Sequence, residues 1–200
     1  MRETTARSYH HGDLRRVLIE TALTMLAADQ NWTFTLREVA RQAGVSHGAP
    51  YKHFRDKDAL LRHLAKIGFE RLAAIMTDAI APPDRPARTK FLHTAEAYIA
   101  FAQDQPGLYR LMFSSDADKS VDPDLNETAL KAFEILLRLL EEGQRAGSFR
   151  TAPITAQAAA SWAQVHGLAL LLLNGQLTEE KVGPAPVPAA LHILLEGLSS

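Results

Sequence analysis

Residues 35–61, TLREVARQAGVSHGAPYKHFRDKDALL, read as two short helices joined by a tight turn and followed by the start of a third helix. Thr35 and Glu38 stand at the capping-box spacing, in which each side chain satisfies a backbone N–H at the helix start. Leu36, Val39, Ala40 and Ala43 then fall on one face at helical intervals. Gly44 stops that helix, because glycine enters the left-handed region without a Cβ clash. Val45 is an apolar plug for the turn, Ser46 a cap for the second helix, and Phe54 its apolar close. Asp56 caps the next helix, with Lys57 in its first turn.

Two helices across such a turn form a helix-turn-helix, whose second helix is suited to a DNA major groove. The surface of that second helix is His47, Gly48, Ala49, Pro50, Tyr51, Lys52 and His53. Gly48 and Ala49 leave room for the backbone to approach base edges. Pro50, tolerated in a first helical turn, is an apolar partner for a thymine methyl. Direct base readout is therefore expected from His47, Gly48, Ala49 and Pro50. Thr35, Arg37, Tyr51, Lys52 and Lys57 are the expected phosphate anchors, with Ser46 and His53 at the two ends of the recognition helix. Packing at the helix end is the alternative for His53, and ordinary surface charge the alternative for Arg37 and Lys57.

The same stretch resembles the DNA-binding domain of the TetR family of bacterial transcriptional regulators. The shared pattern is T-x-R-x-V-A-x-x-A-G-V-S-x-x-x-x-Y-x-H-F-x-x-K-x-x-L-L, met here from Thr35 and Arg37 through Tyr51, His53, Phe54 and Lys57 to Leu60 and Leu61. A match of that length is specific; an unrelated helical hairpin is the alternative. Residues Tyr9 to Arg15 resemble the entry to the first helix of one TetR subgroup. Trp162, His166 and Gly167 resemble the W…HG signature of one C-terminal class. One departure stands at Asn31, where the family usually has glycine; asparagine is the next-best residue for a left-handed turn position.

Charge distribution agrees with a DNA-binding head. The chain of 200 residues has a net charge of only −1. Residues 1–67, however, carry 11 Lys and Arg against 7 Asp and Glu, and residues 68–200 carry 11 against 16. A basic front and an acidic rear suit a head that meets DNA and a body that does not. Protonation of His10, His11, His47, His53 and His63 would add to the front's charge. The chain accordingly divides into 1–67, with an N-terminal arm at 1–11 bearing Arg2 and Arg7, and 68–200. Cysteine is absent, so disulfides and thiolate metal sites are excluded, and no apolar leader opens the chain. These features lead to the expectation of a bacterial cytoplasmic protein that associates with the nucleoid. The His10–His11 and His93–Glu96 pairs lack further ligands at metal spacing, so no metal or other cofactor is expected. Nor is there a nucleophile elbow or a phosphate-binding glycine loop, and an enzyme is not expected.

The remaining chain reads as all-α, about nine helices in total. Leu14, Val17, Leu18, Leu23 and Leu26 stripe a first helix, and a long helix from about Asp56 to Ile80 links head to body. Further helices lie over about 87–105, in PGLYRLMFSS, over about 123–145, within 151–178 and over 188–198, with a polar loop at 114–122. The uncharged run 151–178 is interrupted by Gln157, Ser161, Gln164 and His166. Its strictly apolar part is far shorter than the ~20 residues of a membrane span. Ala159, Ala163 and Gly167 form a small-residue seam for close helix approach. With Leu170 and Leu171, and with Leu191, Leu194, Leu195 and Leu198 on the last helix, they are the expected two-fold interface, since the resemblance implies that the last two helices form a four-helix bundle with those of a second subunit. A dimer is what the DNA reading needs, since two recognition helices about 34–36 Å apart read a palindrome.

The resemblance further implies a small-molecule site in the body. Its candidate wall residues are Tyr98, Phe101, Tyr109, Met112, Phe113, Phe133, Trp162 and His166, each with ordinary core packing as the alternative. His166, in an uncharged stretch, needs a hydrogen-bond partner; a backbone carbonyl or a Ser/Thr hydroxyl is the first expectation and a ligand the second. The implied function is a homodimeric repressor released from a palindromic operator by a small-molecule effector. A DNA-binding regulator or architectural protein without an effector is the alternative, and it predicts a filled body.

Overall fold

Leu18, Ala22 and Leu26 recur one helical turn apart and are all buried, which fixes the inner face of α1 (His11–Ala28). The computed structural model describes residues 11–81 and 83–199. Arg2, Arg7, Tyr9 and His10, on which the expected arm and histidine pair rest, lie outside the described residues. After α1 come α2 (Leu36–Gln42), a 3-10 turn at Pro50–Lys52 and α3 (Lys57–Ile80). The body continues with α4 (Ala87–Asp104), α5 (Pro106–Met112), a 3-10 turn at Ser115–Ala117 and α6 (Pro123–Arg145). It ends with α7 (Ile154–Leu173), the single turn α8 (Glu179–Val182) and α9 (Pro186–Leu198). The described residues are all-helical, with one isolated bridge between Phe149 and Ser199.

Local chemistry sets these boundaries. The capping box forms as the spacing predicts: Thr35 N donates to Glu38 Oε2 at 2.7 Å, and Glu38 N donates to Thr35 Oγ1 at 3.2 Å. Asp56 Oδ1 accepts from Ala59 N at 2.8 Å and starts α3. Asp122 Oδ1 accepts from Leu125 N at 3.0 Å and starts α6, with Pro123 in its first turn. The left-handed turn after α1 falls on Trp32 (φ 43°), not on Asn31. Asp29 decides this. Its carboxylate accepts from Asn31 N at 3.1 Å, Thr33 N at 2.8 Å and Thr33 Oγ1, drawing the chain round so that the reversal lands one residue later. Those bonds also hold the Asp29 carboxyl below its ordinary pKa, the Thr33 hydroxyl having the largest effect.

α3 crosses residue 67 without a break and packs against α4, α5 and α6. Its inner face, from Leu60 and Leu61 through Leu64, Ala65 and Gly68 to Leu72 and Met76, is buried throughout. One core therefore runs from head to body. Besides α3, these parts meet at two places among the described residues. α5 lies on the C-terminal end of α1, where Gly107 meets the Leu26 carbonyl, and Trp32 Nε1 donates to Asp116 Oδ2 at 2.8 Å. The 114–122 segment is anchored at Ala117, 1% exposed, while Ser115, Asp116, Asp118, Ser120 and Val121 stay exposed. α7 is long and apolar enough to cross a membrane by composition alone. It packs on α4, α6 and α9 and buries Gln157 and Ser161 within the body.

Candidate nucleic-acid interface and the chamber behind it

At the head, the turn after α2 is closed by Gly44 at φ 69°, with Val45 N donating to Ala40 O at 3.0 Å. The next segment is not the regular α-helix expected from the sequence. Residues 47–53 form successive tight turns, with Ala49 N donating to Ser46 O at 2.9 Å and His53 N to Pro50 O at 2.9 Å. Pro50 explains this: it has no N–H to offer the carbonyl four residues earlier, so the chain tightens to three-residue turns. The segment packs on α2 and buries Ala49 and Pro50. They are therefore corrected from base-reading residues to inward anchors of the turn, as their apolar side chains favour.

The face left outward is formed by Arg37, Ser46, His47, Gly48, Tyr51 and Lys52, all exposed. Arg37, His47, Gly48 and Tyr51 line one shallow concavity, and Tyr51 is 52% exposed. A cation, an imidazole, a phenol and a bare backbone thus converge on one surface, the donor set that phosphates and base edges require. Thr35 stays exposed, but its hydroxyl is engaged with Glu38. Lys57 is corrected: its Nζ donates to the Trp32 carbonyl at 2.6 Å and lies 5.6 Å from the Phe34 ring centre. It fastens the strained Trp32 turn instead of facing outward. His53 is half-buried at the end of the turn, and its Nε2 is buried with no partner among the described residues.

His63 is corrected as well. Burial, then the neighbouring Arg15 and Lys66, push its pKa down to about 4, and Arg15 Nη2 approaches its Nδ1 at 3.4 Å. A neutral ring adds nothing to the head's positive field. Because the unfolded chain binds this proton near the ordinary value of 6.5, protonation favours unfolding. The stability held above pH 6.5 is expected to fall as pH drops toward 4, by about 1–2 kcal/mol after solvent screening. Urea titrations at pH 7 and pH 4.5 check this against His63→Gln, which should lose less stability over the interval; an equal loss would assign the acid sensitivity to other groups.

Behind the head, the body encloses a cavity of about 390 Å³ between α3, α4, α6 and α7. Of the expected wall residues, Tyr98, Phe113, Phe133 and Trp162 line it. Phe101, Tyr109 and Met112 do not and are corrected to residues packed in the core, while the half-buried His166 stands just behind the lining against Tyr98, Phe113 and Trp162. Tyr109 and Met112 are fully buried. His166 finds its partners in two tyrosines, with Tyr109 Oη at 2.7 Å and Tyr98 Oη at 3.0 Å from Nδ1, not in a carbonyl or a Ser/Thr hydroxyl. Burial raises the Tyr98 phenol to about 12 and raises Tyr109 too, while burial lowers His166, so all three stay neutral. Residues not singled out in the sequence complete the chamber: Phe69, Leu72 and Met76 from α3, Phe91 and Thr94 from α4, Lys119 from the loop and Ser161 from α7. Helical spacing in the sequence marks Leu72 and Phe91 as inward, whereas it does not mark Phe69, Met76 or Thr94, and nothing local marks Lys119.

The final leucines are corrected in turn. Leu191, Leu194, Leu195 and Leu198 are buried by the chain's own body, because α9 folds back on α4 and α7. The outward apolar positions are Ile193 on α9, 66% exposed, and Leu171 on α7, 42% exposed. Ala159 and Ala163 are exposed, and Gly167 and Leu170 partly so.

A capped first helix, a glycine-closed turn and an exposed polar face carried on a helical body define the class: a helix-turn-helix DNA-binding regulator. The family model described as "Bacterial regulatory proteins, tetR family" matches residues 18–64, and "Tetracyclin repressor-like, C-terminal domain" matches residues 91–198. The chain belongs to the TetR family of transcriptional regulators. Among solved structures, a protein of unknown function from Rhodococcus sp. RHA1 is 35% identical, with 97% of this chain and 100% of that one covered and a TM-score of 0.84. A tetR-family regulatory protein from Rhodococcus RHA1 shares the fold at 21% identity, coverages of 93% and 97% and TM-score 0.71. The regulator FadR from Bacillus subtilis, solved with stearoyl-CoA, shares it at 18% identity, coverages of 92% and 99% and TM-score 0.72.

Proposed function

We propose that this regulator is a homodimeric repressor that leaves a palindromic operator when a small molecule fills the body. The observation that carries the reading is one continuous helix, α3, with the DNA-facing head at its start and the wall of a 390 Å³ cavity, through Phe69, Leu72 and Met76, in its second half. Residues 1–67 act as the head and 68–200 as the body. Arg37, His47, Gly48, Tyr51 and Lys52 meet DNA, and the outward face of α7 and α9, with Ala159, Ala163, Leu171 and Ile193, meets the second copy. The site of action is the nucleoid in the bacterial cytoplasm. FadR with its stearoyl-CoA is an instance of a small molecule held by a protein of this fold.

A ligand in the cavity bears on two connections to the head. One is α3 itself. The other is the loop that carries Lys119 at the cavity and Asp116 on Trp32. A ligand that prefers the state with widely set recognition turns lowers operator affinity by that preference. Couplings of this kind are about 1–3 kcal/mol, or about 5- to 150-fold. An architectural DNA binder without an effector predicts a filled body, which the cavity disfavours.

Selection of bound duplexes from a random pool, at fixed salt, tests the DNA reading. The expected product is a palindrome with half-sites about one turn, 34–36 Å, apart, bound by a species of twice the chain mass. Binding that is only unspecific and salt-sensitive, or that is carried by a monomer, would sink it.

A further inference from the structure

The cavity wall is apolar except for a few groups, and their bonding separates them. Thr94 Oγ1 donates to Lys90 O at 2.8 Å, and Tyr98 Oη is held by Tyr109 and His166. Two groups remain. Ser161 Oγ is buried without a hydrogen-bond partner among the described residues, on a residue 1% exposed. Lys119 Nζ has one hydrogen-bond acceptor, Met112 O at 3.0 Å, and lies 5.2 Å and 5.8 Å from the ring centres of Phe69 and Phe113.

The carboxylates of the same loop are engaged elsewhere. Asp116 accepts from Trp32, and Asp118 accepts from Ser120 N at 2.8 Å. Asp122 caps α6 and pairs with Arg62 at 3.6 Å. Beyond it, Asp124 pairs with Lys66 at 3.6 Å. Among the described residues no carboxylate lies within ion-pair distance of Lys119. An ammonium has three protons to donate, and a half-buried one without a counter-ion is costly. Burial holds the Lys119 pKa below the ordinary lysine value, and the charge of the neighbouring Asp118, beyond ion-pair distance, offsets only part of that effect. Ser161 Oγ belongs to a wall residue but is closed off by its neighbours, so the Lys119 ammonium is the group that offers the chamber free donors.

We propose that the chamber takes a singly charged anionic amphiphile, its anionic head on Lys119 Nζ and its apolar body among Phe69, Phe91, Phe133 and Trp162. The partly exposed Lys119 lines the chamber with the exposed Asn126, Leu130 and Trp162, so the head stays near water while the body lies against the buried Phe69 and Phe91. The volume of about 390 Å³ lies at the lower end of the ~300–1,000 Å³ of small-molecule sites. This assignment rests on the reading of the chamber as an effector site.

Titration calorimetry on the full chain tests it with two matched pairs, decanoate with 1-decanol and 2-naphthoate with 2-naphthalenemethanol. The expected result is a preference of about tenfold or more for at least one acid over its alcohol. Lys119→Met should abolish that preference while leaving alcohol affinity within about twofold, and Lys119→Arg, which keeps the charge, should retain it. Equal affinity for acid and alcohol, no binding of either acid, or a preference that survives Lys119→Met would overturn the proposal. Operator release is measured separately. An acid that binds through Lys119 without releasing DNA supports the ligand class and defeats the effector reading. Release by the neutral alcohol, with no preference for the acid, upholds the effector reading and overturns the ligand class.

Discussion

Replacing Gly107 with alanine is expected to destabilise the protein by about 2–3 kcal/mol, the upper range for overpacking a site that cannot relax. A Cβ at that position would lie 2.3 Å from the Leu26 carbonyl oxygen and 3.3 Å from its carbon. Both are backbone atoms of α1, so no side chain can turn aside; α5 would have to lift off α1, separating body from head. With a urea slope of about 1–3 kcal/mol/M, the midpoint should fall by about 1–2 M. A loss below about 0.5 kcal/mol would mean that α1 and α5 part freely. The joint could then not hold the head against the body.

Arg37→Ala is expected to weaken operator binding about ten- to a hundredfold, matching about 1.5–3 kcal/mol for a charge-assisted hydrogen bond. The log–log dependence of affinity on salt should flatten by about one for each phosphate contact removed. Arg37 is exposed beside His47, Gly48 and Tyr51, and removing its side chain leaves the capping box of α2 in place. Lys57→Ala is the contrasting variant. It removes the bond to the Trp32 carbonyl and should lower stability by about 1 kcal/mol with the salt dependence unchanged. If Lys57→Ala flattened the salt dependence and Arg37→Ala did not, the assignment of the DNA face would be reversed.

The two lysines show why local reading reaches only part of this molecule. Lys57 occupies a motif position, and the motif made it a phosphate anchor. The structure places its ammonium under Trp32, a residue 25 positions earlier whose turn was expected at Asn31. Lys119 sits in a polar loop with no pattern around it, yet it is the cation of the chamber. Pro50 is an intermediate case. Its missing N–H was visible in the chain, where it counts as tolerated in a first helical turn, and its burial depended on how the turn met α2.

Periodicity carried more of the body than of its chamber. The α4 stripe of Phe91, Ala95, Tyr98 and Ala102 is buried as expected. On α6, by contrast, the positions that helical spacing turns inward, Leu125, Ala129, Phe133, Leu136, Leu137 and Leu140, divide: Leu125 and Leu140 are buried, Ala129, Phe133 and Leu136 border the cavity and are partly open, and Leu137 is partly open away from it. A helical stripe tells which side faces inward, not whether a neighbour fills the space in front of it. The terminal leucines make the same point, since an apolar face must be covered, but the coverer can be the chain's own body or a second copy.

Sequence alone was sufficient for the family, the all-helical class, the capping box at Thr35, the glycine-closed turn at Gly44 and the cap at Asp56. All of these depend on residues within a few positions of one another, whose backbone hydrogen bonds and dihedral limits act locally. Tertiary structure was required to expose Arg37, His47, Gly48 and Tyr51 together while burying Ala49 and Pro50, and to withdraw Lys57. It was also required to leave Lys119 without a counter-ion, among the described residues, beside an open volume. Those outcomes depend on which of many chemically acceptable neighbours a side chain finds when helices far apart in the chain pack, and close packing settles that choice for the whole core at once.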